Sequence, residues 1–128
     1  MTSIDGFDHP LAVRYASPEM LRLHSPRHRY TTWRRLWLAL AEAERELGLD
    51  IPDQALAQMR SHLEIDEADL ERAREHERRT RHDVMAHIHA FSERAPAARP
   101  FLHLGATSAV VADNADLLIA ADSLALVV

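Results

Sequence analysis

The sequence predicts an all-α fold, and three observations support this. The chain of 128 residues contains only three glycines, and it has few runs of β-branched residues, which leaves little room for a sheet. Apolar residues recur three and four positions apart, as they do on the buried face of a helix. Serine, aspartate and proline residues stand before these apolar stretches, where helices are expected to start. With 47% apolar and 27% charged residues, the chain has the composition of a globular domain.

The first elements are predicted by their start signals. Residues 1–13 are expected to form a loose arm. Ser17 followed by Pro18 combines an N-cap with a proline at the first helical position, which predicts a short helix to about Leu23. Ser25 repeats this pattern before a longer helix, which Gly48 ends. Apolar positions along this longer helix are Tyr30, Trp33, Leu36, Trp37, Leu40 and Leu47. We interpret its two tryptophans as core residues rather than a ligand cage.

Two further helices are predicted in the middle of the chain. A short one after residues 51–53 carries Leu56 and Met59. Asp66 is expected to cap the next helix, with Asp69 three positions on in an arrangement like a capping box. Residues 67–79 are almost wholly charged, which is typical of a solvated helix with ion pairs between neighbouring turns. An alternative for its end, residues 78–81, is a basic segment that faces a substrate phosphate or carboxylate.

The last part of the chain predicts two more helices. One starts around His82, with Asp83 as its cap, and ends near Arg94 before Pro96 and Pro100. Residues 101–104 are expected to be extended, with a tight bend at Gly105. The final helix starts at residues 107–108 and is apolar on every side at its end, which predicts burial. It has no C-cap signal, so we expect the native protein to continue beyond residue 128.

The candidate binding residues cluster at two predicted helix starts. Arg81, His82 and Asp83 lie at one start, and Thr107 and Ser108 lie at the other. The first N–H groups of a helix have no partner within the helix and readily bind anions. The sequence therefore predicts a pocket for a multiply anionic substrate, which His82 is expected to contact.

His87 and His89 are interpreted as packing residues or as residues that support the binding residues from behind, and no metal site is predicted. His82, His87 and His89 are separated by five and two positions, so their side chains point in different directions on a helix, unlike the pair four apart in a zinc helix. For His103 two interpretations stay open. In the first, His103 orients the Gly-Ala-Thr-Ser turn that follows it. In the second, its side chain only forms a hydrogen bond with its own backbone.

Composition excludes several classes of function. The formal charge of −5 argues against a nucleic-acid partner, and the absence of cysteine excludes a disulfide framework or a thiolate nucleophile. No stretch approaches the roughly 20 apolar residues of a membrane-spanning helix. The first eight residues lack the basic and apolar regions of a signal peptide. No membrane partner and a cytoplasmic location are therefore expected.

Several segments resemble adenylosuccinate lyase, of the fumarase/aspartase superfamily. They are residues 13–20, 32–38, 41–44, 81–87 and 103–108, together with Asp113 and Asn114. The resemblance runs from about Arg14 to the last residue and corresponds to the N-terminal quarter to third of that family. The Gly-Ala-Thr-Ser segment also occurs in related lyases and cycloisomerases, whereas residues 81–87 together with Arg14 and Tyr15 are more specific.

The resemblance implies an activity and a set of binding residues. The activity is the β-elimination of fumarate from adenylosuccinate, giving AMP, and from succinylaminoimidazole carboxamide ribotide in purine nucleotide biosynthesis, without a cofactor. The substrate-binding residues matched by position are Arg14, Tyr15, Arg81, His82, Asp83, Thr107 and Ser108. The family's usual proton donor and base lie in later segments, so this chain is expected to contain no catalytic residue and to be inactive alone.

The resemblance also implies the domain organisation and the assembly. Residues 1–13 are the arm, residues 14–105 an N-terminal helical domain, and residues 106–128 the start of the first long helix of a central helical bundle. Family members are homotetramers whose active sites combine three subunits. Two alternatives remain open, namely another lyase or cycloisomerase of the superfamily, and a non-catalytic helical interaction module.

Overall fold

The computed structural model describes residues 9–128, and within this range it is all-α without a strand, as predicted. A π-helical turn at Leu11–Tyr15 is followed by α1 (Pro18–Leu23), α2 (Pro26–Glu46), α3 (Asp53–Ser61), α4 (Glu67–Thr80), α5 (Asp83–Arg94), a 3-10 turn at Pro96–Ala98, and α6 (Ser108–Val127). None of the helices in residues 9–128 has the length and apolar character needed to cross a membrane.

The predicted helix starts of α1, α2 and α4 are confirmed. The Ser17 hydroxyl accepts a hydrogen bond from the Met20 N–H at 3.2 Å, and the Ser25 hydroxyl accepts one from the N–H of His28 at 3.2 Å. Asp66 and Asp69 form a reciprocal capping box at the start of α4. These caps satisfy N–H groups that have no partner within the helix, so short-range sequence signals were sufficient to predict them.

The core is built around α2, whose two tryptophans are buried as predicted. Trp33 is 2% exposed and Trp37 is 1% exposed. The Trp37 ring lies 6.2 Å from the ring of Phe91 on α5, measured between centroids. Residues that complete this core are Leu38, Ala41, Ile51, Ala55, Leu56, Met59, Val84, Ala95, Ala98, Leu102, Val111 and Ala115. Helix α2 thus joins α3, α5 and α6 in one core.

A buried ion pair connects α2 with α4. The Arg34 guanidinium makes two contacts of 3.2 Å with the Asp69 carboxylate, and it lies 4.7 Å from the centre of the Phe91 ring. Arg94 adds a second cation, with Nε at 2.9 Å from Asp69 Oδ1. Burial alone raises the pKa of Asp69, but the two arginines hold it below its usual value. This cluster holds α4 and α5 against α2.

The arm and the predicted extended segment differ from expectation. Residues 1–8 of the arm lie outside the described residues, but Leu11–Tyr15 forms a helical turn rather than loose chain. Residues 101–104 form turns instead of extended chain, and His103 has a positive φ of 60°. Its side chain bonds to Trp37, a contact remote in sequence that local patterns do not reveal. Gly105, with φ of 69°, makes the predicted bend.

The prediction that the end of α6 is buried is wrong for this chain. Only Val111, Ala115 and Ile119 of α6 are buried, because they form the single stripe, four residues apart, that faces the core. Leu117 is 68% exposed and Leu124 is 66% exposed. The second half of α6 therefore presents apolar side chains that residues 9–128 do not cover.

Candidate functional site

The first part of the candidate site is the sharp connection between α4 and α5. Arg81 ends α4 in the left-handed conformation, with φ of 52°, and its N–H donates to the Glu77 carbonyl at 2.8 Å. His82 follows as the N-cap of α5, and its Nδ1 accepts a hydrogen bond from the Met85 N–H at 3.3 Å. Only two residues separate the helices, so Arg81 and His82 are held at a fixed corner.

The prediction that Asp83 caps α5 is wrong, because His82 occupies that position. Asp83 is instead the first residue of α5, and its Oδ1 accepts a hydrogen bond from the N–H of Val84 at 2.7 Å. The same oxygen lies 3.7 Å from Nδ1 of His82. Asp83 thus still places its carboxylate at the helix start, where the helix dipole favours negative charge.

A basic groove lies beside this corner. It has a volume of about 490 Å³ and is lined by Arg74, Glu77, Arg78 and Arg81. Arg74 and Arg78 both pair with Glu71, so the solvated helix carries ion pairs, but at separations of three and seven positions. In residues 9–128 Arg81 has no ion-pair partner, so its guanidinium is the one lining cation available to a ligand anion.

The second part of the site is the turn before α6, which lies close to the first part. His103 Nδ1 accepts a hydrogen bond from the indole Nε1–H of Trp37 at 3.0 Å. Burial lowers the pKa of His103, and the electrostatic influence of His82 lowers it further. His82 and His103 are thus near enough to influence each other electrostatically, although they lie 21 positions apart.

The start of α6 leaves backbone donors without side-chain partners. Thr107 is the N-cap, but its hydroxyl makes no capping bond. Ser108 is the first helical residue, and both side chains are exposed. Free N–H groups in the first turn of a 20-residue helix favour an anion there. The turn itself packs on the end of α2, where a Cβ placed at Gly105 would lie 3.7 Å from Glu44 Oε1.

Arg14 and Tyr15 lie apart from these two segments. Both are in the π-helical turn, and Tyr15 is 75% exposed. Within residues 9–128 no hydrogen bond or ion pair joins either residue to residues 81–83 or 107–108. Their inclusion in a site rests on the resemblance alone.

His87 belongs to the core. Its ring stacks on Tyr30 with centroids 3.7 Å apart and meets the edge of Trp33 at 5.5 Å. Burial, reinforced by the charge of Arg34, lowers the pKa of His87 to about 4. It is therefore neutral at pH 7 and packs as an aromatic ring.

His89 stacks on His76, with centroids 5.1 Å apart, on the side of α5 that faces α4. In the part of the chain that the structure describes, no group of three potential ligands is placed to hold a metal ion.

Sequence reasoning missed the contact between Trp37 and His103. The signal that could have found it is the tryptophan itself, because a buried indole N–H usually needs an acceptor. The sequence did not show that the acceptor is a histidine 66 positions away. This contact ties the turn of the candidate site to the core of the molecule.

Fold and site together define an all-α protein whose candidate site for an anionic ligand is formed where two helices start. Comparison with known proteins relates the sequence to one family. The adenylosuccinate lyase of Saccharomyces cerevisiae is 51% identical over 96% of the chain, that of Schizosaccharomyces pombe 50% identical over 92%, and that of Schistosoma mansoni 43% identical over 97%. No protein-family profile matches the chain.

The chain is thus homologous to adenylosuccinate lyases over nearly its whole length. It spans about a quarter of the length of these curated relatives, since it covers 26%, 25% and 25% of them. The resemblance inferred from the motifs is confirmed.

Proposed function

We propose that the protein containing this chain is an adenylosuccinate lyase, which eliminates fumarate from adenylosuccinate to give AMP and from succinylaminoimidazole carboxamide ribotide. The observation that carries this proposal is the homology of the chain to these enzymes over nearly its whole length, together with the two helix starts at which His82 and Thr107 are the N-caps. Both substrates carry a phosphate and carboxylates, which helix N-termini and arginine side chains bind well.

The residues of this chain serve to bind the substrate. Arg81, free of an acidic partner within residues 9–128, supplies a guanidinium for one anionic group. The N–H groups at the start of α6, with Thr107 and Ser108, supply donors for a carboxylate. Arg14 and Tyr15 are included from the resemblance and complete the binding set. Elimination also needs a base and an acid with suitable pKa values, and the resemblance assigns these to later segments.

The direct test is fumarate release by the purified full-length protein. We expect AMP and fumarate in equal amounts from adenylosuccinate. A folded protein that releases no fumarate from adenylosuccinate, but catalyses elimination on another amine or ether substrate, would instead be a different lyase of the superfamily. A folded protein without any lyase activity would be a helical interaction module.

A matched pair of variants tests the binding role of Arg81. Arg81→Met removes the groove cation that has no acidic partner, whereas Arg79→Met removes a neighbouring arginine that contacts His76 Nδ1 at 3.1 Å. We expect KM for adenylosuccinate to rise at least about tenfold in the first variant, from the loss of a charged hydrogen bond, and to change little in the second. Equal KM values in the two variants would remove Arg81 from the site.

The assembly, location and domain limits form a further part of the proposal. We place the full-length protein in the cytoplasm as a homotetramer, with residues 14–105 as its N-terminal helical domain and residues 106–128 leading into a helical bundle. The exposed leucines of α6 support the bundle, because they need a covering surface. Sedimentation equilibrium of the full-length protein tests the assembly, and a monomer at micromolar concentration would contradict it.

A further inference from the structure

We propose that Trp37 is a positioning residue that fixes the tautomer of His103. By donating to Nδ1, its indole N–H keeps His103 neutral with the ring hydrogen on Nε2, so that His103 presents an N–H donor to an anionic ligand. The role of His103 as a donor to a ligand rests on the proposed function. The assignment of its tautomer does not.

The geometry of the hydrogen bond supports the first step. Trp37 is 1% exposed, and its Nε1 lies 3.0 Å from His103 Nδ1. The two rings are nearly perpendicular, with an interplanar angle of 87°. An indole N–H is a donor only, so the bond requires an unprotonated Nδ1, and the ring hydrogen of a neutral imidazole then belongs to Nε2.

The surroundings support the second step. In the described chain His103 Nε2 has no hydrogen-bond partner, and the side chain is partly exposed. Two titratable groups lie near this turn: His82 influences the pKa of His103, and Glu44 Oε1 lies 3.7 Å from the position that a Cβ at Gly105 would take. Burial and His82 both lower the pKa of His103. Burial, His82 and the Trp37 donor all favour a neutral ring, and its Nε2–H has no partner in the described chain.

The backbone explains why such a bond is needed. His103 has φ of 60°, a conformation that costs about 1 kcal/mol or more in a residue with a side chain. A histidine in an exposed turn would otherwise sample both tautomers and several rotamers. A bond to a rigid, buried partner on α2 removes this freedom, and preorganised donors bind an anion better than mobile ones.

Trp33 provides a matched control on the same helix. It is as deeply buried as Trp37, at 2% exposure, but its Nε1–H has no hydrogen-bond partner in the part of the chain that the structure describes. Both Trp33→Phe and Trp37→Phe remove an indole from the core. Only Trp37→Phe removes a donor to His103.

The experiment uses the full-length protein labelled with 15N-histidine, and the His103 resonances are assigned from a His103→Gln variant. In the unaltered protein and in Trp33→Phe we expect 15N shifts of an unprotonated Nδ1 and a protonated Nε2. In Trp37→Phe we expect a mixture of tautomers and a raised pKa of His103, because the donor to the neutral form is lost. A protonated Nδ1 in the unaltered protein would overturn the proposal without any variant.

Kinetics provide the second readout. We expect Trp37→Phe to lower kcat/KM for fumarate release by about two- to tenfold, as expected for one neutral hydrogen bond, with an altered pH profile, and Trp33→Phe to keep the original profile. If both variants share the same tautomer and profile as the unaltered protein, Trp37 is only a core residue. If the unaltered protein releases no fumarate, the proposed function fails, and the NMR measurement still decides the tautomer.

Discussion

At the scale of single residues, histidines in this chain have separate tasks that depend on their surroundings. His82 caps α5 through Nδ1, His87 fills the core beside Tyr30, and His103 accepts a bond from Trp37. An imidazole can act as donor, acceptor or aromatic ring, so residue type alone did not assign these tasks. Spacing excluded a zinc helix, but only the tertiary contacts distinguish a site residue from a packing residue.

His82 has a structural task and a proposed binding task, and two variants separate them. In the full-length protein His82→Ala removes both, and we expect kcat/KM to fall at least about tenfold, on the order of 1.4 kcal/mol. His82→Asn keeps an acceptor for the Met85 N–H, since asparagine is a good N-cap, but it removes the imidazole. Steady-state fumarate release should be equally low in both variants. Full activity in His82→Asn would limit His82 to capping.

His87 makes stability depend on pH. Its pKa is about 4 in the folded protein and about 6.5 when unfolded. Between these values only the unfolded chain takes up the proton, so stability is present above pH 6.5 and falls as the pH decreases toward 4. The charges that act on the ring are those of Arg34, Asp83 and Asp69.

The variant His87→Phe keeps an aromatic ring against Tyr30 and removes the titration. Urea unfolding at pH 7 and pH 5 should show that the unaltered protein loses about 2 kcal/mol more than the variant over this interval. An equal loss in both proteins would show that His87 is not the group responsible.

At the scale of elements, the starts of α1, α2 and α4 were predictable, whereas the cap of α5 was misassigned by one residue and long-range contacts were not predicted. Ser17, Ser25 and Asp66 cap their helices because the capping bond spans only three residues, which a sequence displays directly. The turn of residues 101–104 was missed, although its backbone bonds are local, such as that from the Leu104 N–H to the Phe101 carbonyl. The contact of its His103 side chain with Trp37, far away in the chain, was missed as well. The same limit applies to the ion pair between Arg34 and Asp69.

The two aspartates of the capping box of α4 should differ strongly in their effect on stability. Asp69→Asn leaves the buried Arg34 charge, 2% exposed, without an anionic partner, which costs roughly 3–5 kcal/mol. Asp66→Asn makes the same chemical change in an exposed residue and keeps a good N-cap, so we expect a change within about 0.5 kcal/mol. Urea midpoints of the two variants measure the difference. Equal midpoints would show that α4 is held by its cap and not by the ion pair.

At the scale of the whole molecule, the substrate-binding role of the candidate site stays a prediction, whereas the prediction for the surface of α6 is corrected by the structure. Residues 81–83 lie at the start of α5 and residues 107–108 at the start of α6, and both helices contribute residues to the core around α2. The apolar end of α6 was read as a buried segment. Periodicity shows how many faces of a helix are apolar, but it does not show which molecule covers them.

The exposed part of α6 should therefore drive self-association when the 128-residue chain is expressed alone. Leu117, Leu118 and Leu124 are 68%, 50% and 66% exposed, and contiguous apolar surface of this kind favours association. Sedimentation velocity should show oligomers for the unaltered chain and a shift toward monomer for the double variant Leu117→Gln, Leu124→Gln. Leu47→Gln is the control, since Leu47 is 86% exposed at the end of α2 and its loss should not change association. A chain that is monomeric at the same concentration would mean that α6 needs no covering surface, and support for the helical bundle would then have to come from the full-length protein.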